Sequence, residues 1–149
     1  MIFDNTLRVS NQQAITADAA STDVIDLGAT GTPFGGSAIV RDIGVGKEIE
    51  LAVVVTETFN NLTTMNIKVQ VDDNSSFSSA TTVYQSGEIP LAALVAGYQF
   101  KSPYSFGRGV NERYVRLFYD ITGTAPTTGK ITAGVVSARQ SNSALGAAV

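Results

Sequence analysis

The run Met65-Asn66-Ile67-Lys68-Val69-Gln70-Val71-Asp72 decides the reading of this chain, because apolar and polar residues alternate through it without a break. Successive side chains of a β-strand point to opposite faces, so Met65, Ile67, Val69 and Val71 share one face and the polar residues share the other. A strand of that kind is half-buried, as in an antiparallel sheet with one wet side. The same period recurs at Ile49, Leu51, Val53 and Val55, at Val115, Leu117, Tyr119 and Ile121, and at Ile131, Ala133 and Val135. Weaker strand candidates cover residues 23–27, 81–85 and 98–101. Gly, Pro and Asp/Asn/Ser clusters at 28–36, 44–46, 72–76, 107–109 and 123–126 separate the runs. Only residues 12–20 and 90–96 read as helix, and both are short. Many short strands with loops between them predict an all-β fold, an antiparallel sandwich or barrel, as one domain over residues 1–149. The polar, small-residue ends are expected as an N-terminal arm over about 1–20 and a C-terminal tail over about 139–149.

Composition narrows the function classes. The 149 residues include no His and no Cys, which removes Ser-His-Asp and Cys-His catalysis, thiol redox chemistry and the usual zinc ligand sets. The net charge is −3 and the isoelectric point about 4.8, so no overall positive field draws the chain to nucleic acid or to anionic lipid. The first residues, Met1-Ile2-Phe3-Asp4-Asn5, lack the basic and apolar regions of a signal peptide. No apolar run approaches the roughly 20 residues that span a bilayer as a helix. The expectation is a soluble, non-enzymatic protein that needs no cofactor.

Several motifs invite chemistry and do not complete it. Asp72-Asp73-Asn74-Ser75-Ser76 offers oxygen ligands, but Phe77 and Val83 stand where a Ca²⁺-binding loop needs Gly and Glu, so it reads as an Asx-rich turn. The Gly-rich stretch 28–36 and Gly44-Val45-Gly46-Lys47 lack the residues that follow a phosphate-binding loop. Asp42 and Glu112 make a nominal carboxylate pair, although nothing in the sequence marks them as facing each other. One cluster combines aromatic and basic residues: Tyr104, Phe106, Arg108, Arg113, Tyr114 and Arg116. Such residues are enriched at interaction hot spots. Strand alternation also gives Tyr114, Arg116 and Phe118 a common outer face, open either to a partner or to burial under a second sheet. Ile2 and Phe3 form an apolar terminus that should dock, on a partner or as an edge strand of its own sandwich. The expected contact residues are Ile2, Phe3, Tyr104, Phe106, Arg108, Arg113 and Tyr114.

Met1-Ile2-Phe3-Asp4, Val24-Ile25-Asp26-Leu27-Gly28, Arg41-Asp42-Ile43-Gly44, Glu112-Arg113-Tyr114-Val115-Arg116-Leu117 and Gly129-Lys130-Ile131-Thr132-Ala133-Gly134 occur in this order. Together they resemble the cement proteins of tailed bacteriophages, the Bordetella phage Bbp16-like group, from residue 1 to about 138. The resemblance implies a jelly-roll-like β-sandwich with no catalytic residues. It implies a homo-oligomer on the outer surface of an icosahedral virion, made in the bacterial host cytoplasm. There it would bridge copies of the major capsid protein, with neither nucleic acid nor membrane as partner. Taken with the outer face at Tyr114, Arg116 and Phe118, a dimer is expected over a trimer. The alternative is a carbohydrate- or receptor-binding sandwich module of a phage particle, which would show a row of exposed Tyr rings over a groove.

Overall fold

The computed structural model describes residues 2–41, 43, 48–106 and 110–139. The decisive run lies in β5 (Leu62–Asp72), which pairs antiparallel with β8 (Tyr114–Gly123). Met65 faces Ile121, Ile67 faces Tyr119, Val69 faces Leu117 and Val71 faces Val115. The first three pairs and Val71–Val115 point into the core, where all but the half-buried Ile121 are sealed from solvent. Each fully buried aliphatic side chain contributes about 1.5–3 kcal/mol. The alternating partners, Lys68 with Phe118 and Gln70 with Arg116, lie on the outer face.

On its other edge β8 pairs with β2 (Ala19–Ala20) and β3 (Ile25–Asp26), while β5 continues to β6 (Thr81–Gln85) and β7 (Ile89–Pro90). The second sheet has the order β1 (Phe3–Ala14), β9 (Lys130–Val136), β4 (Leu51–Glu57). Beyond β4 the segment 98–105 lies along its free edge and pairs with it through isolated bridges. Bridges join Val54 to Gln99 and Glu50 to Ser105, and Phe100 N–H donates to the Val53 carbonyl at 3.0 Å. The chain thus crosses between the sheets repeatedly, staying in one sheet only from β2 to β3 and from β5 through β7; the first and last strands are neighbours, and the pairing is antiparallel throughout. That is a jelly roll. The side chains of Phe100, Tyr119 and Leu51 fill the space between the sheets. The Tyr119 hydroxyl is satisfied by Ser10 Oγ at 2.7 Å, and burial pushes this phenol well above its ordinary value.

Three expectations are corrected. Residues 3–14, expected as part of an arm, form β1, a strand of the sandwich along β9. Residues 12–20, expected as a helix, hold the end of β1 and the whole of β2, since pairing with β9 and β8 outweighs the weak helix propensity of so short a segment. Of the helix expected over residues 90–96 only the 3₁₀ turn Leu91–Ala93 forms, following Pro90 of β7. Of the expected tail, Arg139 alone is described, and the remainder lies outside the described residues.

Candidate functional site: the apolar end of the sandwich

β8 passes through a short turn into β9, which runs back beside β1 and β4, so the start of β8 and the end of β9 share one end of the sandwich. The N-terminal residues, the β3–β4 connection, the β5–β6 loop and the connection into β8 meet at that end. Eight large apolar side chains are exposed among the described residues. Ile2 and Val24 flank β1 and β3, Phe34, Ile39 and Val40 lie in the β3–β4 connection, and Ile49 and Tyr104 sit where β4 begins. Only Val95 lies at the opposite end. Exposed apolar patches on a folded domain mark places where something else binds.

The most exposed of them, Phe34, stands with Ile39 and Val40 on an arm, residues 28–40, that contains no charge and is almost wholly open to solvent. Its tip is built by local chemistry. Gly36 N–H donates to the Pro33 carbonyl at 3.0 Å, and Gly35 takes φ +71°, the left-handed value that the third position of a type II turn demands. Phe34 occupies the outer corner of that turn and is fully exposed. Ile39 N–H donates to the Gly31 carbonyl at 3.0 Å and closes the arm on itself.

The base of the arm is latched by two arginines. Arg113 Nε and Nη2 each donate at 2.7 Å to the two oxygens of Asp26, a bidentate pair, and Gly28 N–H donates to Asp26 Oδ1 at 2.8 Å. The Arg113 guanidinium, with the Gly28 amide, holds the Asp26 carboxyl down at about 2. Arg41 Nη2 donates to the Gly28 carbonyl, Nη1 donates to the Asn111 carbonyl at 2.9 Å, and the Arg41 N–H donates to Asn111 Oδ1 at 2.8 Å. Beside the latch, Asp72 accepts from Asn74 N–H at 2.8 Å and from Ser79 N–H at 2.8 Å, and these bonds keep its carboxyl below the usual range. The 72–76 cluster is therefore a closed Asx turn. Among the described residues no three acidic ligands gather in a metal-binding group. Asp26 is a carboxylate paired with Arg113, ionised and with no proton to offer near neutral pH.

The described residues among those expected to make contacts come together at this end, in different roles. Ile2 and Tyr104 are exposed; Phe3 and Phe106 are half-buried, with Phe106 packed against the core. Arg113, expected as a contact residue, has its fork occupied by Asp26, and its guanidinium lies 5.0 Å from the centre of the Tyr114 ring. Arg108 lies outside the described residues, as does Asp42 of the nominal carboxylate pair. The outer face at Tyr114, Arg116 and Phe118 is neither bare nor under a second sheet. The Arg116 guanidinium stacks 4.1 Å from Phe77 and 5.9 Å from Phe118 while Nε donates to Gln70 at 2.9 Å. Sequence reading missed Phe34, Ile39, Val40 and the latch residues Arg41 and Asn111. The available signal was Pro33-Phe34-Gly35-Gly36, a turn sequence presenting an aromatic ring inside an uncharged stretch.

A family model described as Bbp16 matches residues 9–139. The chain belongs to the Bbp16 family. No match was found among the curated proteins. The matched span takes in the whole jelly roll after the first residues of β1, together with the arm and its latch. Three of the stretches that carry the Bbp16 resemblance, at 24–28, 41–44 and 112–117, supply Asp26 and Gly28, Arg41, and Arg113. Sites scattered through the sequence of this phage family member thus meet at the base of one arm. No described helix is long and apolar enough to cross a membrane.

Proposed function

We propose that this Bbp16 family member is a cement, or decoration, protein. In this reading it binds the outside of a tailed-phage capsid as a homo-oligomer, a dimer favoured over a trimer, and stabilises contacts between major capsid subunits without catalysing a reaction. The observation that carries the reading is the gathering of exposed apolar side chains at one end of a closed jelly roll. An oligomer that grips several shell subunits makes each later contact intramolecular, so modest surfaces add up to tight attachment. The absence of imidazole and thiol from the sequence and the paired latch carboxylate agree with a structural role.

The sugar-binding alternative draws less support. Tyr119 is buried, Tyr114 lies under Arg113 and Tyr98 packs edge-on against Phe100, which leaves the Tyr84–Tyr104 pair rather than a row of rings. The test is to add purified protein to capsids that lack it and image the particles by cryo-electron microscopy. Density on the outer shell at contacts between capsid subunits is expected, with a raised temperature of particle disruption. Density on the tail, or no binding, overturns the proposal.

A further inference from the structure

Phe34 is an aromatic ring held where none of the described residues covers it. The turn at residues 33–36, the Ile39–Gly31 bond and the latch to Arg41 restrain the arm on which it stands. Holding a side chain in place before binding lowers the ordering cost of the contact it makes. At the same end of the sandwich lies a hollow of about 230 Å³ lined by Ile2, Phe3, Val135 and Val136, with Asp4 and Ser137 completing it. Its lining is mainly aliphatic and aromatic, and its volume admits a phenyl ring.

We propose that Phe34 of one copy seats in the Ile2–Phe3–Val135–Val136 hollow of a second copy, and the reverse, so that two copies of this chain exchange arms across a two-fold axis. Knob and hollow belong to one end of the molecule, so a head-to-head pairing can satisfy both at once, as an isologous interface requires. Two identical arms without charge approach each other with no like-charge repulsion. A net charge of −3 and the lack of any cation within the arm disfavour an anionic membrane or a nucleic acid as occupant. The inference rests on the self-association in the proposed function and supplies its contact, leaving Ile49 and Tyr104 for the shell.

Sedimentation of the wild-type chain, Phe34→Ser and Ile2→Asp over a concentration series tests it. Both sites are exposed, so unchanged melting temperatures are expected. The wild type should be a dimer, and Phe34→Ser should weaken it by about 100-fold, since each dimer loses two buried rings worth at least about tenfold each. The chain has no native cysteine, so a Phe34→Cys/Ile2→Cys double variant adds an independent readout: oxidation should link two copies covalently. A monomeric wild type overturns both the self-association and the arm exchange. A dimer that Phe34→Ser leaves intact, or a disulfide that closes within one copy, overturns the exchange alone. The same holds if Phe34→Ser abolishes particle decoration or binding to phosphatidylcholine vesicles while the dimer persists; the arm's occupant is then the shell or a membrane.

Discussion

The two ends of this sandwich handle the same chemistry in opposite ways. At the end where β4 and β8 finish, loops are tied down. Asn60 Oδ1 accepts from Thr127 N–H at 2.8 Å and Thr128 N–H at 3.1 Å, and its Nδ2 donates to Thr127 Oγ1 at 2.7 Å. Phe59 is buried there under Gly129, whose φ of +129° and close approach to the Phe59 ring leave no room for a β-carbon. Lys130 pairs with Glu57 at 2.6 Å and lowers the Glu57 carboxyl. At the other end Phe34 has the same side chain as Phe59 and is turned outward, and the hydrogen bonds restrain the arm without covering it. One end closes the domain. The other presents surface, which contributes little to the stability of the monomer.

That contrast predicts a graded set of effects. Phe59→Ala should show the largest, a loss of about 3–5 kcal/mol in chemical denaturation, because it removes a buried ring from packing that cannot collapse onto the space. An effect below 1 kcal/mol would show that the closed end is not where stability resides. Asn60→Ala should cost about 1–3 kcal/mol by the same measurement, since two loop N–H groups lose their acceptor.

The latch can be broken by acid. The folded Asp26 carboxyl titrates at about 2 against an ordinary 3.8, so its contribution is present above the higher value and is lost as pH falls through the lower one. A carboxyl titration followed by NMR should show a midpoint at about 2, and Arg113→Gln should move it up toward 3.8. A midpoint already at the ordinary value in the wild type would mean that the arm is not latched in solution. The smallest effect belongs to the aromatic twin. Phe34→Ala should change monomer stability by no more than about 0.5 kcal/mol, as expected of a surface side chain that packs on nothing. A loss comparable to that of Phe59→Ala would erase the distinction between the two ends.

What could be read in advance follows from which interactions are local. Strand alternation needs only neighbouring residues, so Met65 to Val71 disclosed their faces directly, and the residues 81–85 matched β6. The exposure of Ile2 and Tyr104 was legible because both lie outside the alternating runs, Ile2 in an apolar terminus and Tyr104 in a loop. Arg113 was legible as an anchor but not as an anchor to Asp26, because that pair spans 87 residues of chain. Phe77 closing over Arg116 was hidden for the same reason, and so was β1, whose low alternation is explained by three irregularities in its register with β9.

By itself, then, the sequence determined the β class, the half-buried strands, the lack of imidazole and thiol chemistry and the turn that carries Phe34, because periodicity, residue type and turn preference act over a few residues. Only the tertiary structure decided the strand order of the jelly roll that the resemblance implied, that three of the resemblance-bearing segments meet in one latch, and that exposed apolar side chains collect at one end. Those outcomes depend on strand order and on contacts between distant residues, and a pattern of alternating side chains is the same whichever neighbour a strand pairs with.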